Sequence, residues 1–265
     1  MNADLHCHST ASDGTLSPAE LVRRAHRNGV TVLSLTDHDV THGTGEALAT
    51  AQSLGMRLIP GVEISVTWMH KTLHIVGLGI DVDGEALGAG LAGVRRSRVR
   101  RGELIADELS RLGIHGSLEA ALSLAGDPHT LSRTHFARFL VGKGYARDVK
   151  SVFHQYLGEG KPGYVPHRWA TLADAVSWIC SSGGVAVIAH PGRYGFTANE
   201  ECARLAEVKA QFEAELNKRG YVSKADAESA VTERMKVFEG IDLEALRAFK
   251  VDKAAADKTI GELKT

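Results

Sequence analysis

Val30-Thr31-Val32-Leu33-Ser34-Leu35, followed at once by Thr36-Asp37-His38-Asp39, reads as a β-rich run whose carboxyl end turns abruptly polar. The run is too apolar to face water on either side, which favours a parallel sheet or barrel covered by helices. Toward the amino terminus, Asp4-Leu5-His6-Cys7-His8 is a second short strand, followed by the turn-prone Ser12-Asp13-Gly14. Ser17-Pro18-Ala19-Glu20 supplies an N-cap, a proline at the first helical position and a glutamate at the third, opening a helix that stops at Gly29. Toward the carboxyl terminus, a helix from about Gly45 to Leu54 precedes the strand Arg57 to Ile64, and Thr72 to Gly79 forms the next. This βαβ rhythm gives the class α/β.

The rhythm then changes. From about Asp83 to Pro166 the pattern is helical, with Glu103 to Leu112, Ser117 to Leu124, Ser132 to Lys143 and Val149 to Leu157 as members. It resumes with a helix from Leu172 to Ser182 and the strand Val185 to Ala189, which ends in His190-Pro191. The expected organisation is a barrel over 1–82, a helical insertion subdomain over 83–166, more barrel over 167–196 and an atypical charged helical tail over 197–265.

Composition narrows the function. Against 31 Lys+Arg stand 32 Asp+Glu, so no global field draws the 265-residue chain to nucleic acid or anionic membrane, and any anion site must be local. No apolar run approaches the ~18 to 20 residues of a membrane span. Met1 to His8 lack a basic region followed by an apolar stretch, so no secretory signal is read and a cytoplasmic location is expected. Cys7, Cys180 and Cys202 are too few and too scattered for a disulfide framework or a zinc-binding pair of cysteines, and read as core residues in a reducing compartment. All 13 histidines lie between His6 and His190, whereas the last 69 residues hold 26 charged side chains and three glycines.

His6 and His8 sit two apart on a strand and point to one side, as two imidazoles sharing a cation require. Alone, such a pair is as readily a chance surface feature. The recurrence carries the weight: Asp13 after the first strand, His38 ending the second, Glu63 on the third, His74 on the fourth and His190 ending the fifth. Ionisable groups beside apolar strands are costly to bury unpaired, and a shared cation cluster removes that cost. Parallel α/β barrels also place their sites at strand carboxyl ends.

Six segments in this order, Asp4-Leu5-His6-Cys7-His8-Ser9, Ser12-Asp13-Gly14, Thr36-Asp37-His38-Asp39, Pro60-Gly61-Val62-Glu63-Ile64-Ser65, Leu73-His74-Ile75-Val76-Gly77 and Ala189-His190-Pro191-Gly192, resemble the PHP (polymerase and histidinol phosphatase) superfamily of metal-dependent phosphoesterases. The helical insertion is similar to the subgroup that removes the 3′-phosphate of nucleoside 3′,5′-bisphosphates and trims short RNA from its 5′ end. The resemblance implies a distorted (β/α)7 PHP barrel with a trinuclear site. His6, His8 and Glu63 would serve one metal, Glu63 would bridge to a second held by His74 and His190, and Asp13 with His38 would hold a third. Two or three divalent ions are implied, manganese first, with iron or zinc compatible with the same donors. A metal-activated hydroxide would attack in line, with Glu63, His6, His8 and His190 nearest the chemistry and no nucleophilic side chain. The implied substrate is a small nucleotide or short oligonucleotide, with no membrane and no long duplex. Alternatives are a monoester phosphatase of the histidinol phosphate type and a catalytically impaired metal- or nucleotide-binding protein.

Within the insertion, Leu131-Ser132-Arg133-Thr134-His135-Phe136-Ala137-Arg138 matches a subgroup motif, and Arg133 and His135 become the expected substrate contacts, a guanidinium being suited to bidentate phosphate binding. Helical spacing puts Arg138 near His135 and Thr134. Lys161 and Arg168 are secondary candidates. Arg95-Arg96-Ser97-Arg98-Val99-Arg100-Arg101 could follow an RNA backbone, but without interleaved aromatics it reads more simply as a solvated helix start. No metal is assigned to His26, His42, His70, His115, His129, His154 or His167.

The tail departs from the pattern. The family would supply two more strands, the last ending in Asp-x-His, yet no histidine follows His190. Residues 197–265 show helical periodicity instead, and the Asp242/Glu244 pair is a substitute for the missing ligands or simply a helix N-cap. The barrel is therefore expected to be incomplete at its carboxyl end, the third cation weakly held and activity reduced.

Overall fold

A computed structural model describes residues 2–68 and 71–194, together with the isolated helical residues 206, 210 and 214. The expected strands and helices form where the apolar periods place them: β1 (Ala3–Cys7), α1 (Pro18–Arg27), β2 (Val32–Leu35), α2 (Thr44–Ser53), β3 (Arg57–Trp68), β4 (Lys71–Leu78), α7 (Leu172–Ser181) and β6 (Val185–Ile188). The Ser17 hydroxyl accepts from the Glu20 N–H and the Glu20 carboxylate accepts from the Ser17 N–H, so α1 opens on the capping box that its sequence encodes.

Pairing corrects one expectation. β1, β2 and β3 are parallel, but β3 and β4 form an antiparallel ladder from Gly61↔Leu78 to Trp68↔Lys71. Two residues separate these strands, far too few for a parallel crossover, which takes a dozen or more. β6 then pairs antiparallel with β4, giving the order β1-β2-β3-β4-β6, while the two-residue β5 (Ala170–Thr171) adds to the far end of β3. The sheet is strongly curled. Ala3 and Leu5 at one end share an interior cluster with Val185 and Ala189 at the other, around Val32, Ile59, Val76 and Leu78. Among the described residues this is the curled half of a barrel, with α1 and α2 packed outside β1–β3 and α7 outside β3, β4 and β6.

The insertion comprises α3 (Glu85–Arg111), α4 (Ser117–Ala125), α5 (Arg133–Gly142) and α6 (Val149–Val152), which runs into a wide turn over Phe153–Leu157. α3 begins 18 residues before the expected Glu103 start. Its glycines argue against a helix on propensity. Here they permit contact: a Cβ at Gly90 would enter the Trp178 ring and one at Gly102 would enter Leu131. α3 belongs to two cores, burying Leu87 and Leu91 against the sheet and Ile105 and Leu109 among the insertion helices.

The same phase corrects the reading of the arginine run. Leu87, Leu91, Val94, Arg98, Arg101, Ile105 and Leu109 occupy one buried stripe, so Arg98 and Arg101 face inward in mid-helix while Arg96 and Arg100 are exposed. Among the described residues no helix is long and apolar enough to cross a membrane. The expected helical tail and the Asp242/Glu244 pair lie outside the described residues.

Candidate metal centre

Backbone pairing brings the ionisable side chains together. His6 lies in β1 and His8 just beyond it. An isolated bridge joins His38 to Glu63, and the Asp39 N–H donates to the Glu63 carbonyl at 3.0 Å while the Glu63 N–H donates to that of Asp37 at 3.2 Å. His74 sits on β4 opposite Ser65, and its carbonyl accepts from the Ala189 N–H, which brings the end of β6 and His190 alongside. His190 itself takes the left-handed backbone region at φ 29°, a conformation that β-branched or bulky residues resist.

Glu63, 1% exposed, is the hub. Its Oε2 lies 3.1 Å from His6 Nε2, 3.1 Å from His8 Nε2 and 3.2 Å from His38 Nδ1. Its Oε1 lies 3.2 Å from His74 Nδ1 and 3.1 Å from His190 Nε2. The nitrogens also approach one another, at 3.3 Å for His6–His8 and 3.4 Å for His74–His190. Two donor triangles, His6–His8–Oε2 and His74–His190–Oε1, can therefore be drawn on the two oxygens of one carboxylate, and His38 stands on Oε2 as well. His8, His38 and Glu63, and His6, Glu63 and His190, are also close enough to share an ion. Asp13 borders them, with Oδ1 3.8 Å from His8 Nδ1 and Oδ2 4.0 Å from His38 Nε2.

Hydrogen bonding does not satisfy this cluster. A pair of facing imidazole nitrogens can share one proton only if one of them stops donating to Glu63, and the buried Nδ1 atoms of His8, His38 and His190 make no hydrogen bond among the described residues. A divalent cation does fit the donor set. Ligands about 2.1 Å from a common ion at tetrahedral or octahedral angles are about 3.0 to 3.4 Å apart, as both triangles are. Protonation states agree for Glu63 and His38, whereas at His8 the lowering by burial is outweighed by Glu63 and Asp13, which raise its pKa, so a cation there would displace a proton. Burial favours the neutral acid of Glu63, but His38 and the imidazoles of His190, His6 and His74 outweigh it and hold the carboxyl below its usual range. Burial pushes His38 down to about 3, so its ring is neutral and available as a ligand.

Above the cluster opens a cavity of about 690 Å³ whose far wall belongs to the insertion. Arg133 lines it, its guanidinium 5.4 Å from the Phe153 ring centre and 5.9 Å from that of Tyr164, with Nη1 donating to the Leu157 carbonyl. Arg101 lines it too, donating to the Val165 carbonyl and lying 5.1 Å from the Trp169 ring centre. Neither guanidinium is ion-paired among the described residues. Burial, then the neighbouring Arg133 and Arg98, push Arg101 down to about 9, and burial lowers Arg133. A buried and a half-buried guanidinium without a carboxylate among the described residues, facing a cavity, form an anion site of the kind phosphate fills. Arg98 differs, because its guanidinium is ion-paired with the fully buried Asp39 and also donates to Ser65 and Leu131.

Arg133 thus reaches the cavity with the metal-type residues His6, His8, Asp13, His38, Glu63, His74 and His190. His135 does not. It is 1% exposed beneath the wall, where its Nδ1 accepts from the Ser132 N–H in a capping box at the start of α5. Burial pushes it down to about 4, which keeps that nitrogen an acceptor. Lys161 and Arg168 are also absent from the lining. Sequence reasoning missed Arg101 and Trp169 as wall residues and Arg98 as a buried tie. The signal for the arginines was their register with Leu91, Val94 and Ile105.

The family model for the PHP domain matches residues 4–244. A 3′,5′-nucleoside bisphosphate phosphatase of Chromobacterium violaceum is 50% identical over 193 residues, covering 73% of this chain and 68% of the relative. A 5′-3′ exoribonuclease of Haemophilus influenzae is 43% identical over 207 residues, 78% of this chain and 75% of its own. Among solved structures, a C. violaceum amidohydrolase with bound sulfate and no metal superposes with TM-score 0.78 at 46% identity, over 80% of this chain and 74% of that one.

Proposed function

The chain belongs to the PHP domain family, and from that premise we propose that it is a divalent-metal-dependent phosphoesterase that removes the 3′-phosphate of nucleoside 3′,5′-bisphosphates and trims short 5′-phosphorylated RNA. One observation carries the reading: a single cavity holds the Glu63-centred donor set on its floor and, on its wall, the guanidinia of Arg101 and Arg133, which make no ion pair among the described residues. That layout suits a substrate with two phosphates, one at the metal donors and one at the arginines, and favours a bisphosphate or oligonucleotide over a simple monoester.

In this reading His6, His8 and Glu63 would hold one cation, Glu63, His74 and His190 a second, and Asp13 with His38 a third, manganese being the leading choice with iron and zinc compatible. Bound there, the cations acidify water and offset charge on the phosphoryl oxygens. The Glu63 carboxyl, held below its usual range, carries no proton to deliver. Arg133, beside Phe153 and Tyr164 and donating to the Leu157 carbonyl, and Arg101, beside Trp169 and donating to the Val165 carbonyl, would orient the remote phosphate and so present the scissile ester to the floor.

The test is turnover of 3′-phosphoadenosine 5′-phosphate and of a 5′-phosphorylated trinucleotide after loading with Mn, Fe or Zn. Metal-dependent release of phosphate from the first and of mononucleotide from the second is expected, and no turnover under any loading overturns the reading. Arg133→Ala should reduce kcat/KM for the bisphosphate by about 10- to 150-fold, the equivalent of ~1.5 to 3 kcal/mol for a charge-assisted contact, and that for an aryl phosphate far less. Equal losses on both would make Arg133 a structural residue.

A further inference from the structure

Asp13 is the proposed ligand farthest along the chain from a strand: His8, His38 and His190 follow β1, β2 and β6 by one to three residues, whereas Asp13 comes six after the end of β1. It lies in the loop after β1, and its position is set from the insertion. Arg138, on the second turn of α5, donates Nη1 to the Gly14 carbonyl at 3.2 Å and Nη2 to the Asp13 carbonyl. Ser132, the N-cap of the same helix, donates Oγ to Asp13 Oδ2 at 3.3 Å, and Thr134 adds a side-chain hydrogen bond to the carboxylate. The loop itself is tight, since a Cβ at Gly14 would meet the His8 carbonyl. Arg138 does not line the cavity, so its guanidinium is committed to the loop backbone and not to substrate.

We propose that Arg138 is a positioning residue for the metal centre: by clamping the Asp13 and Gly14 carbonyls it fixes the Asp13 carboxylate toward His8 and His38, and the affinity of the cation site on that side depends on the insertion helix. The inference rests on the metal reading above. Two cations would stand on the Glu63 triangles with no help from α5. The third would need a carboxylate on a loop with no ladder to hold it, and two parallel N–H donors to consecutive carbonyls restrict that loop in a way a lysine's single ammonium does not. Arg133 lies on the first turn of the same helix, so the side chain that faces the remote phosphate and the one that holds Asp13 move as one body.

The experiment is equilibrium titration of chelator-stripped full-length protein with Mn2+ alone, comparing wild type with Arg138→Met and Arg138→Lys. The expected result is a 10- to 100-fold loss in the weakest class of Mn2+ sites in Arg138→Met, a smaller loss in Arg138→Lys, and little change in the tighter classes. At saturating substrate, kcat should fall with KM nearly unchanged. Should Arg138→Met fail to fold, the graded loss in Arg138→Lys remains the criterion. Unchanged Mn2+ affinity in folded Arg138→Lys and Arg138→Met, or an equal loss across all classes, overturns the proposal while leaving the metal reading intact. A wild-type protein that takes up no Mn2+, Fe2+ or Zn2+ overturns the metal reading, and this inference with it.

Discussion

Glu63→Gln is expected to give a folded protein with most of its bound metal lost and turnover reduced by about four orders of magnitude, ~5.5 kcal/mol at 1.36 kcal/mol per tenfold. The carboxamide has nearly the carboxylate's shape, so packing is retained. Its chemistry is not. One bridging oxygen becomes an NH2 that can only donate, and it would face His6, His8 and His38 or His74 and His190 whichever way the amide turns. The negative charge that both donor triangles share is also gone. Elemental analysis and a thermal melt on the same sample decide the matter. Wild-type metal content in a well-folded Glu63→Gln protein removes Glu63 from the hub.

The second large effect is on stability. Asp39→Ala should destabilise the protein by about 3 to 5 kcal/mol, because it strands the Arg98 guanidinium, 4% exposed, without its counter-charge. For a domain of this size that is a Tm decrease of roughly 6 to 20 °C. Asp39 also accepts from the Ser65 N–H and hydroxyl, and its own N–H holds the Glu63 carbonyl, so metal affinity should fall along with stability. Replacing the whole pair with Asp39→Leu/Arg98→Met should recover only part of the Tm: the stranded charge is gone, but the buried Ser65 N–H and hydroxyl lose their acceptor and residue 39 stays at φ 56°, where Leu is strained. A single Asp39→Ala variant as stable as wild type would show that water or another group reaches Arg98.

The strands and their terminal histidines could be read from the chain because burial on both faces leaves an unambiguous mark: Val32–Leu35 is wholly buried, so a polar Thr-Asp-His-Asp at its end stands out. Glu63 was legible for the same reason, as a charge inside an apolar strand. The long helix α3 was not, because Gly90 and Gly102 lower local propensity and the reason for them lies across space, in Trp178 and Leu131. Arg98 and Arg101 were hidden by their neighbours. Five arginines in seven residues look like a solvated surface until the helical phase is set by Leu87 and Leu91, which lie before the charged run. The direction of β4 was obscured because the sequence pattern ends β3 at Ile64 and begins β4 at Thr72, whereas the strands run on to Trp68 and start at Lys71; even the seven residues between Ile64 and Thr72 are too few for a parallel crossover. His135 had the residue type for phosphate binding, and only its burial beneath Ser132 shows that its nitrogen is spent on the helix start.

The order in which the ligands occur along the chain has a consequence for biogenesis. Six of the seven proposed donors, His6 to His74, lie ahead of the insertion, and β1, β2, β3 and β4 are neighbours both in sequence and in the sheet. A ribosome emitting the chain from its amino end thus releases a unit that can fold locally and close the triangle on Glu63 Oε2 while the helices are still being made. His190 comes 116 residues after His74, and its arrival requires closing a loop of that length and adding β6 to an already formed edge. The half-built site would already gather His6, His8 and His38 on Glu63 Oε2, yet would lack the donor that completes the opposite triangle. Its first donors would in this way be assembled early in synthesis, and its full donor set only once β6 and His190 have emerged.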